Sequence, residues 1–368
     1  MTTAKTLAVR ALCAAGVLLT AACDDSSEPA SQPVALDIEQ YPFPVLSDYN
    51  FFVGELDELD PNEGVIPYTV NAPLWADGAD KGRFFVLPEG GKITWTEKDE
   101  WLFPAGSVFI KNFYFDQDRG PAEDLRIIET RLLVLNASGD WDSHIYMWDE
   151  EQTEAEHIKA GADIFVDYID ENGVPGEQLY LVPDQNTCES CHQRDDTKLI
   201  LGPTTHQLNT QWEIQGEQVN QIDYLREQDL FANAVPPASD LPAYPNPAGD
   251  ASLDERARAY LHGNCAHCHR PGGDGGSSGL KFTYDVTDQA EFGACKLPAA
   301  AGPGAGGRRY DIFPGSPEQS IVPFRMASED PEIKMPELPS LLSDQFGVDL
   351  ITEWITAMEP WDCTAIGG

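Results

Sequence analysis

Positive charge is scarce in this chain. Of 368 residues only 23 are Lys or Arg, against 62 Asp or Glu, and the formal net charge is -39. Such a deficit argues against nucleic acid as a partner, because phosphates must be met by Lys and Arg to release their counterions. It argues equally against docking on an anionic lipid surface through a basic patch. Long apolar runs are missing too. Beyond residues 11–22, no stretch reaches the ~20 residues that a spanning helix needs. Residues 41–183 contain no P-loop, nucleophile elbow or dinucleotide fingerprint. Core-forming material is plentiful: hydrophobic residues make up 42% and aromatics 10%, too much for a disordered chain. The balance predicts a globular acidic protein whose partner is cationic or whose solvent is salty.

The run at 11–22 follows Lys5 and Arg10 and has the length of a secretory signal. It ends Leu19-Thr20-Ala21-Ala22-Cys23, which resembles the bacterial lipobox, with Cys23 as the lipidated first residue of the mature protein. Thr20 stands where that motif usually has Leu, and ordinary cleavage near Ala22 would leave Cys23 a free thiol. Residues 24–33 (DDSSEPASQP) are too polar to fold and read as part of a flexible tether over 23–40. The expected location is the periplasmic face of a bacterial membrane or the cell surface.

Six further cysteines follow the signal and Cys23. Four lie in Cys188-Glu189-Ser190-Cys191-His192 and Cys265-Ala266-His267-Cys268-His269. Both are C-x-x-C-H, the c-type haem attachment motif: two thiols add to the haem vinyl groups and the next histidine becomes the proximal iron ligand. One such motif is expected by chance only ~0.003 times at this chain's Cys and His frequencies. Structural zinc usually sets two C-x-x-C pairs about 15–20 residues apart and gives no reason for a histidine after each. Here 73 residues intervene. A thioredoxin-like site needs one C-x-x-C, not two. The expected cofactors are therefore two covalently bound haem c groups. Cys295 and Cys363 remain and are expected to form a disulfide in an oxidising compartment, two buried thiols being the alternative.

Short β-branched and aromatic runs at 83–87, 107–115, 125–135, 144–148, 163–169 and 178–182 predict a β-rich domain over 41–183, a sandwich of antiparallel strands. A first haem segment then spans 184–233, with a helix at 217–231. A linker with five prolines spans 234–251, and a C-terminal cytochrome c domain spans 252–368. Ser252 and Glu255 form a capping box for a helix running into Cys265, and i,i+4 apolar pairs predict a last helix at 344–358. The expected fold is α+β multidomain, its last domain mostly α, with those two helices crossing at the haem edge.

Several stretches together carry a family resemblance: Leu46-Ser47-Asp48-Tyr49, 104–115, MWDEEQTEA (147–155), LVPDQNTCESCH (181–192), RARAYLHGNCAHCH (256–269) and CKLPAAAGPGAGGRRYDIFPGSP (295–317). Over 41–363 the chain resembles a little-characterised bacterial family of exported di-haem c-type cytochromes with an N-terminal β-rich domain. The resemblance implies electron transfer and supplies no substrate.

The sixth iron ligands decide between a carrier and an enzyme. For the second haem, Met335 precedes Pro336 in an irregular loop and is the favoured ligand, ahead of Met326 on a short helix and Met358 on the terminal one. For the first haem, His206 and the strand residue Met147 are candidates, an open position being the third option. Arg308 and Arg309, after the glycine-rich 302–307, are candidate partners of the haem carboxylates. His262 and His267 read as surface residues, and His144 and His157 have no partner at metal-ligand spacing. The reading is single-electron transfer between protein partners with basic docking surfaces. The alternatives are a di-haem peroxidase reducing peroxide at the first haem and the cytochrome subunit of an exported dehydrogenase.

Overall fold

The computed structural model describes residues 32–116, 125–169, 174–195, 197–214, 216–299, 301–337 and 339–365. Cys23 and the signal lie outside them. The described chain from Pro33 onward belongs to one compact unit. Its elements, in order, are β1 (Val65–Pro67), β2 (Asp80–Val86), β3 (Val108–Asp116), β4 (Leu125–Leu135), β5 (Trp141–Trp148), β6 (Ala155–Ile158), β7 (Ala162–Ile169) and β8 (Pro175–Val182). Next come α1 (Gln185–Cys191), β9 (Gln193–Arg194), β10 (Thr197–Lys198), α2 (Thr205–Leu208), β11 (Gln211–Ile214), β12 (Glu217–Asn220) and α3 (Gln221–Glu227). The last helices are α4 (Leu253–Cys265), α5 (Ile321–Met326) and α6 (Gln345–Ala357). No helix among the described residues is long and apolar enough to cross a membrane.

Strands β1 to β6 pair in sequence order as one antiparallel meander, and β7–β8 is a separate hairpin. The expected sandwich of two strand layers is thus replaced by a single main sheet with both faces covered. Alternation along β3 assigns the faces: Val108 and Ile110 enter one core, Phe109 a second and Phe113 and Phe115 a third. The first face is closed by residues 34–61, whose Tyr41, Phe43, Tyr49 and Phe51 rings pack edge-on and stacked. Tyr49 is bolted to the sheet by its hydroxyl, 2.6 Å from that of Tyr146. On the second face the β7–β8 hairpin contributes Val166, Tyr180 and Val182. Ile200, Leu208, Ile222 and Leu225 cover the other half. A bulge opposite Phe113/Tyr114 turns both Ile128 and Glu129 to this second face and returns Ile127 to the first.

The C-terminal region departs from the expected mostly helical domain. Among the described residues no α-helix forms between Ala266 and Ser320, a stretch of turns and short 3-10 pieces rich in Gly and Pro, which oppose helix formation. The helices that do form are firmly placed. Ser252 and Glu255 make the reciprocal capping box of α4. α4 packs on α6 through Ala257, Leu261, Leu350, Ile351 and Trp354. Gly347 permits this approach, since a Cβ there would sit 2.0 Å from the Tyr260 hydroxyl. Tyr260 donates to Asp344 at 2.9 Å, and the Trp354 indole donates to Asp254 at 2.9 Å. Cys295 and Cys363 are joined in a disulfide, their Cα atoms 5.0 Å apart.

Two other segments differ from expectation. The stretch predicted as a helix over 217–231 begins as strand β12, because Asn220 caps α3 by accepting from the amides of Ile222 and Asp223. The proline-rich 234–251 is packed rather than a free spacer: Ala238 and Tyr244 are buried, and the Tyr244 amide donates to the His206 carbonyl.

The N-terminal and C-terminal parts are stitched by Asp77. Its buried carboxylate accepts from Ser340 Oγ at 2.8 Å and from the amides of Leu341 and Leu342 at 2.8 and 3.1 Å. Asp77→Ala leaves those donors without their acceptor and is expected to cost about 3 kcal/mol. Urea unfolding checks this, with the midpoint falling at an unchanged slope.

Candidate haem-motif cavity

The chain leaves β8 through Pro183 directly into α1, whose N-cap Asp184 accepts from the Thr187 amide. That short helix carries Cys188 and Cys191. Cys188 is buried in the core with Phe113, Ile145 and Val182. The second motif sits at the end of α4. The first motif lines a cavity of about 870 Å³ through Cys188, Cys191 and His192, and the second reaches it only through Ala266 and His267; the second face of the sheet forms its floor. The four motif cysteines are free thiols. Burial pushes Cys188 up to about 11 and Cys265 up to about 12. Cys191 is pulled down, first by a hydrogen bond from Cys268 and then by His267, while its partner Cys268 is raised. The ligating atoms of Cys191, His267 and Cys268 all lie within 4.8 Å of one another.

Each motif histidine has one ring nitrogen engaged. His192 Nδ1 donates to the Leu199 carbonyl at 3.1 Å. His269 Nδ1 lies 3.0 Å from Ser278 Oγ. That hydroxyl donates its own proton to the Gly275 carbonyl, so it accepts from the ring. In both rings the proton is thereby held on Nδ1 and the Nε2 lone pair is left for a metal, the arrangement that orients ligating histidines. Burial pushes both down to about 4, so both rings are neutral near pH 7.

The motifs are tied together by one carboxylate. Glu100 accepts from Arg194 Nη2 at 2.6 Å and from Arg270 Nη1 at 3.4 Å. Arg194 lies two residues after His192, and Arg270 directly follows His269. The Asp195 amide adds a backbone bond to the Gly272 carbonyl, 2.8 Å. Two segments distant in sequence are thus held side by side.

The remaining candidates fall as follows. His206 lines the cavity and stacks on Tyr244 at 4.8 Å, with His262 against the same tyrosine at 4.6 Å. His206 Nδ1 is buried without a hydrogen-bond partner. No hydrogen bond or ring contact joins His206 to His192 among the described residues. Met326 is buried in the α4–α6 core and Met358 packs against it, whereas Met335 belongs to no core cluster. Its loop is held by the Met335 amide on the Arg325 carbonyl and by Lys334 Nζ on the carbonyls of Pro336 and Ser340. Pro336 and Glu337 line the cavity, and Met335 itself does not. Met147 does not line it.

Three expectations are corrected. His262 and His267 are half-buried cavity residues, not surface ones, because α4 delivers them to the interior beside Cys265. Arg308 and Arg309 lie at a separate shallow depression near Trp361 and Cys363, where Arg308 stacks on Phe324 at 3.8 Å. His144 and His157 do meet, ring centroids 5.7 Å apart across β5 and β6.

The cations at the cavity are ones that the sequence reading missed. Arg83, Lys111 and Arg131 lie directly opposite one another on β2, β3 and β4. All three face the cavity. Arg131 is paired in two-pronged fashion with the fully buried Glu129, at 2.8 and 2.5 Å, and Tyr180 donates to the same carboxylate. Lys111 and Arg83 make no ion pair among the described residues; Lys111 Nζ lies 4.8 Å over the Phe113 ring. Burial first, then Arg83 and Arg131, push Lys111 well below its ordinary value, and burial and Arg83 bring Lys81 down to about 8. Burial also lowers Arg131, but Glu129 outweighs it and the net shift is upward. Like charges across adjacent strands repel by on the order of 2–3 kcal/mol per pair at an effective dielectric near 20. The legible signal was a basic residue inside an apolar run on a strand buried on both faces, as in Ile110-Lys111-Asn112-Phe113.

The pinning carboxylate gives a test. Glu100→Ala leaves Arg194 and Arg270 facing each other with no acceptor and is expected to cost about 2–3 kcal/mol. Adding Arg194→Ala should then recover part of that loss, a non-additivity that thermal unfolding of the single and double variants would reveal. The chain matches no protein-family model, no curated protein and no solved structure.

Proposed function

We propose that the chain is an extracytoplasmic di-haem c-type cytochrome that passes single electrons between redox partners. One haem would be held by Cys188, Cys191 and His192, and the other by Cys265, Cys268 and His269. The observation that carries this reading is convergence: two C-x-x-C-H motifs with 72 residues between them fold side by side, with Cys191 and Cys268 Sγ atoms within 4.8 Å. The residues fit the group. Four thiols are free, two imidazoles present unprotonated Nε2 atoms, and the cavity has both apolar walls and cationic side chains. Haem supplies the one-electron chemistry, with its potential set by axial ligands, burial and nearby charge.

The chain's own residues have separate tasks. Leu199 and Ser278 fix the two proximal rings. Glu100, with Arg194 and Arg270, sets the spacing between the motifs, so that an electron need not cross bulk water. Residues 252–368 form the second haem segment, with α4 and α6 as its crossed helices. Met335, free of core packing and on a tethered loop, is the proposed distal ligand there, and His206 that of the first haem. Cys23 anchors the protein by lipid outside the cytoplasm, and the disulfide is in keeping with an oxidising compartment. The acidic surface suits donor and acceptor proteins with basic faces. All of this accords with the resemblance to exported di-haem cytochromes.

A second reading rests on the Cys191–His267–Cys268 trio, which is a suitable donor set for a soft divalent metal such as zinc. It leaves Cys188, Cys265, His192 and His269 without a task.

Protein produced in a host that attaches haem c should carry two haems per chain by pyridine haemochrome assay. Cys188→Ser with Cys191→Ser should leave one. Bound zinc with no haem would defeat the reading. Electron paramagnetic resonance of the same protein should show two low-spin ferric sites; a high-spin site with rapid peroxide turnover would make it a peroxidase. Met335→Ala should abolish the methionine–iron charge-transfer band while both haems stay attached. An unchanged band would move the ligand to another residue.

A further inference from the structure

A protein with 62 acids and 23 bases places three of those bases in a row, side by side, on the floor of its main cavity. The row divides the second face of the sheet. Phe85, Phe109 and Leu135 pack on one side of it, and Phe113, Phe115 and Ile128 on the other. Both neighbouring halves are closed by apolar cores, so the row opens only into the cavity. Glu129 neutralises Arg131 alone. Arg83 has only a long hydrogen bond to the Lys81 carbonyl, 3.4 Å, and Lys111 only the Phe113 ring. Arg83 and Lys111 therefore stand without an ion pair among the described residues. The first motif lies against this row: Arg131 acts electrostatically on Cys188, and Lys111 on His192. Two inter-strand spacings, roughly 10 Å in all, separate the Arg131 and Arg83 backbones. Arg83 and Lys111 are one such spacing apart, roughly 5 Å, and a porphyrin's two neighbouring carboxylates match that pair.

We propose that Arg83 and Lys111 form the carboxylate seat for the haem attached at Cys188 and Cys191. The inference rests on the haem reading above and adds to it. Among the described residues the cations that act on His269 are Arg325 and Lys296, the latter paired with Asp311, so the two haems would be held in different fields. Fixed positive charge beside the first haem favours its reduced form and raises its potential relative to the same site without the cations. The row is also a stability switch. Without an occupant its members repel, and with the occupant they are paired.

The test uses the full chain with its haems. In Lys111→Met both haems should stay attached by haemochrome assay, one midpoint potential should fall, and the other should hold. Lys111→Arg, which keeps the charge, should restore the first potential. Arg83→Gln tests the same seat from the neighbouring strand. The sign of the effect on stability is the second readout. Lys111→Met should lower the melting temperature of the loaded protein and raise it in the Cys188→Ser, Cys191→Ser background, where the first motif holds no haem. Two haems with both potentials unmoved, or a melting-temperature change of the same sign in both backgrounds, would overturn the seat. Wild-type protein carrying no haem at the first motif would instead defeat the haem reading itself.

Discussion

One carboxylate makes a single site out of two motifs. Glu100 takes an arginine from each motif, and without it Arg194 and Arg270 would repel across the cavity mouth. Its position depends on the irregular segment between β2 and β3, where an isolated bridge pairs Glu100 with Thr204. The packing of Trp101, buried beside Phe231 with its indole on Thr205 Oγ1, fixes that segment in turn. The sheet face, the first motif and α4 therefore meet at one ion-pair cluster, and the cavity between them is a consequence of that arrangement.

Charge is distributed on a related logic. Most of the acidic residues face solvent, where their mutual repulsion is screened. Five basic residues sit at the sheet and the motifs: Arg83, Lys111 and Arg131 on the sheet, Arg194 and Arg270 beside the motifs; Lys98 and Lys281 also line the cavity. Burying cations is costly unless something negative meets them. Glu129 and Glu100 meet three of the five. The cavity lining also carries Asp77, Asp99, Glu100, Asp285, Glu291 and Glu337, so the positive charge left without a partner is local to Arg83 and Lys111.

Much of the local structure was legible. The runs at 107–115 and 125–135 coincide closely with β3 and β4, and the Ser252 capping box marks the start of α4. The C-x-x-C-H pairs carry the haem expectation by spacing alone. Their meeting could not be read, because it depends on Glu100 and Asp195, which carry no local signature. The layering was misread because strands buried on both faces lose the apolar–polar alternation that separates a sandwich from a covered single sheet. Arg308 and Arg309 drew attention as a conspicuous pair, whereas Arg83, Lys111 and Arg131 are scattered through apolar runs and become a group only through strand register. Tyr244 was hidden in a proline-rich stretch whose composition suggested a spacer.

The neighbouring Cys191 and Cys268 also bear on how the protein is made. In the folded chain Cys188 is buried, and the other three motif cysteines are only half-exposed. An enzyme that joins porphyrin to thiols needs access to an extended C-x-x-C-H segment. On the haem reading, attachment must therefore precede closure of the cavity, and the emerging chain is a substrate for maturation only while its two motifs remain apart. A chain that folded empty in an oxidising compartment would hold two thiols within reach of each other, and their oxidation would close off the very atoms the cofactors need. On that reading order of assembly, and not only amino-acid identity, decides whether this sequence becomes a working protein.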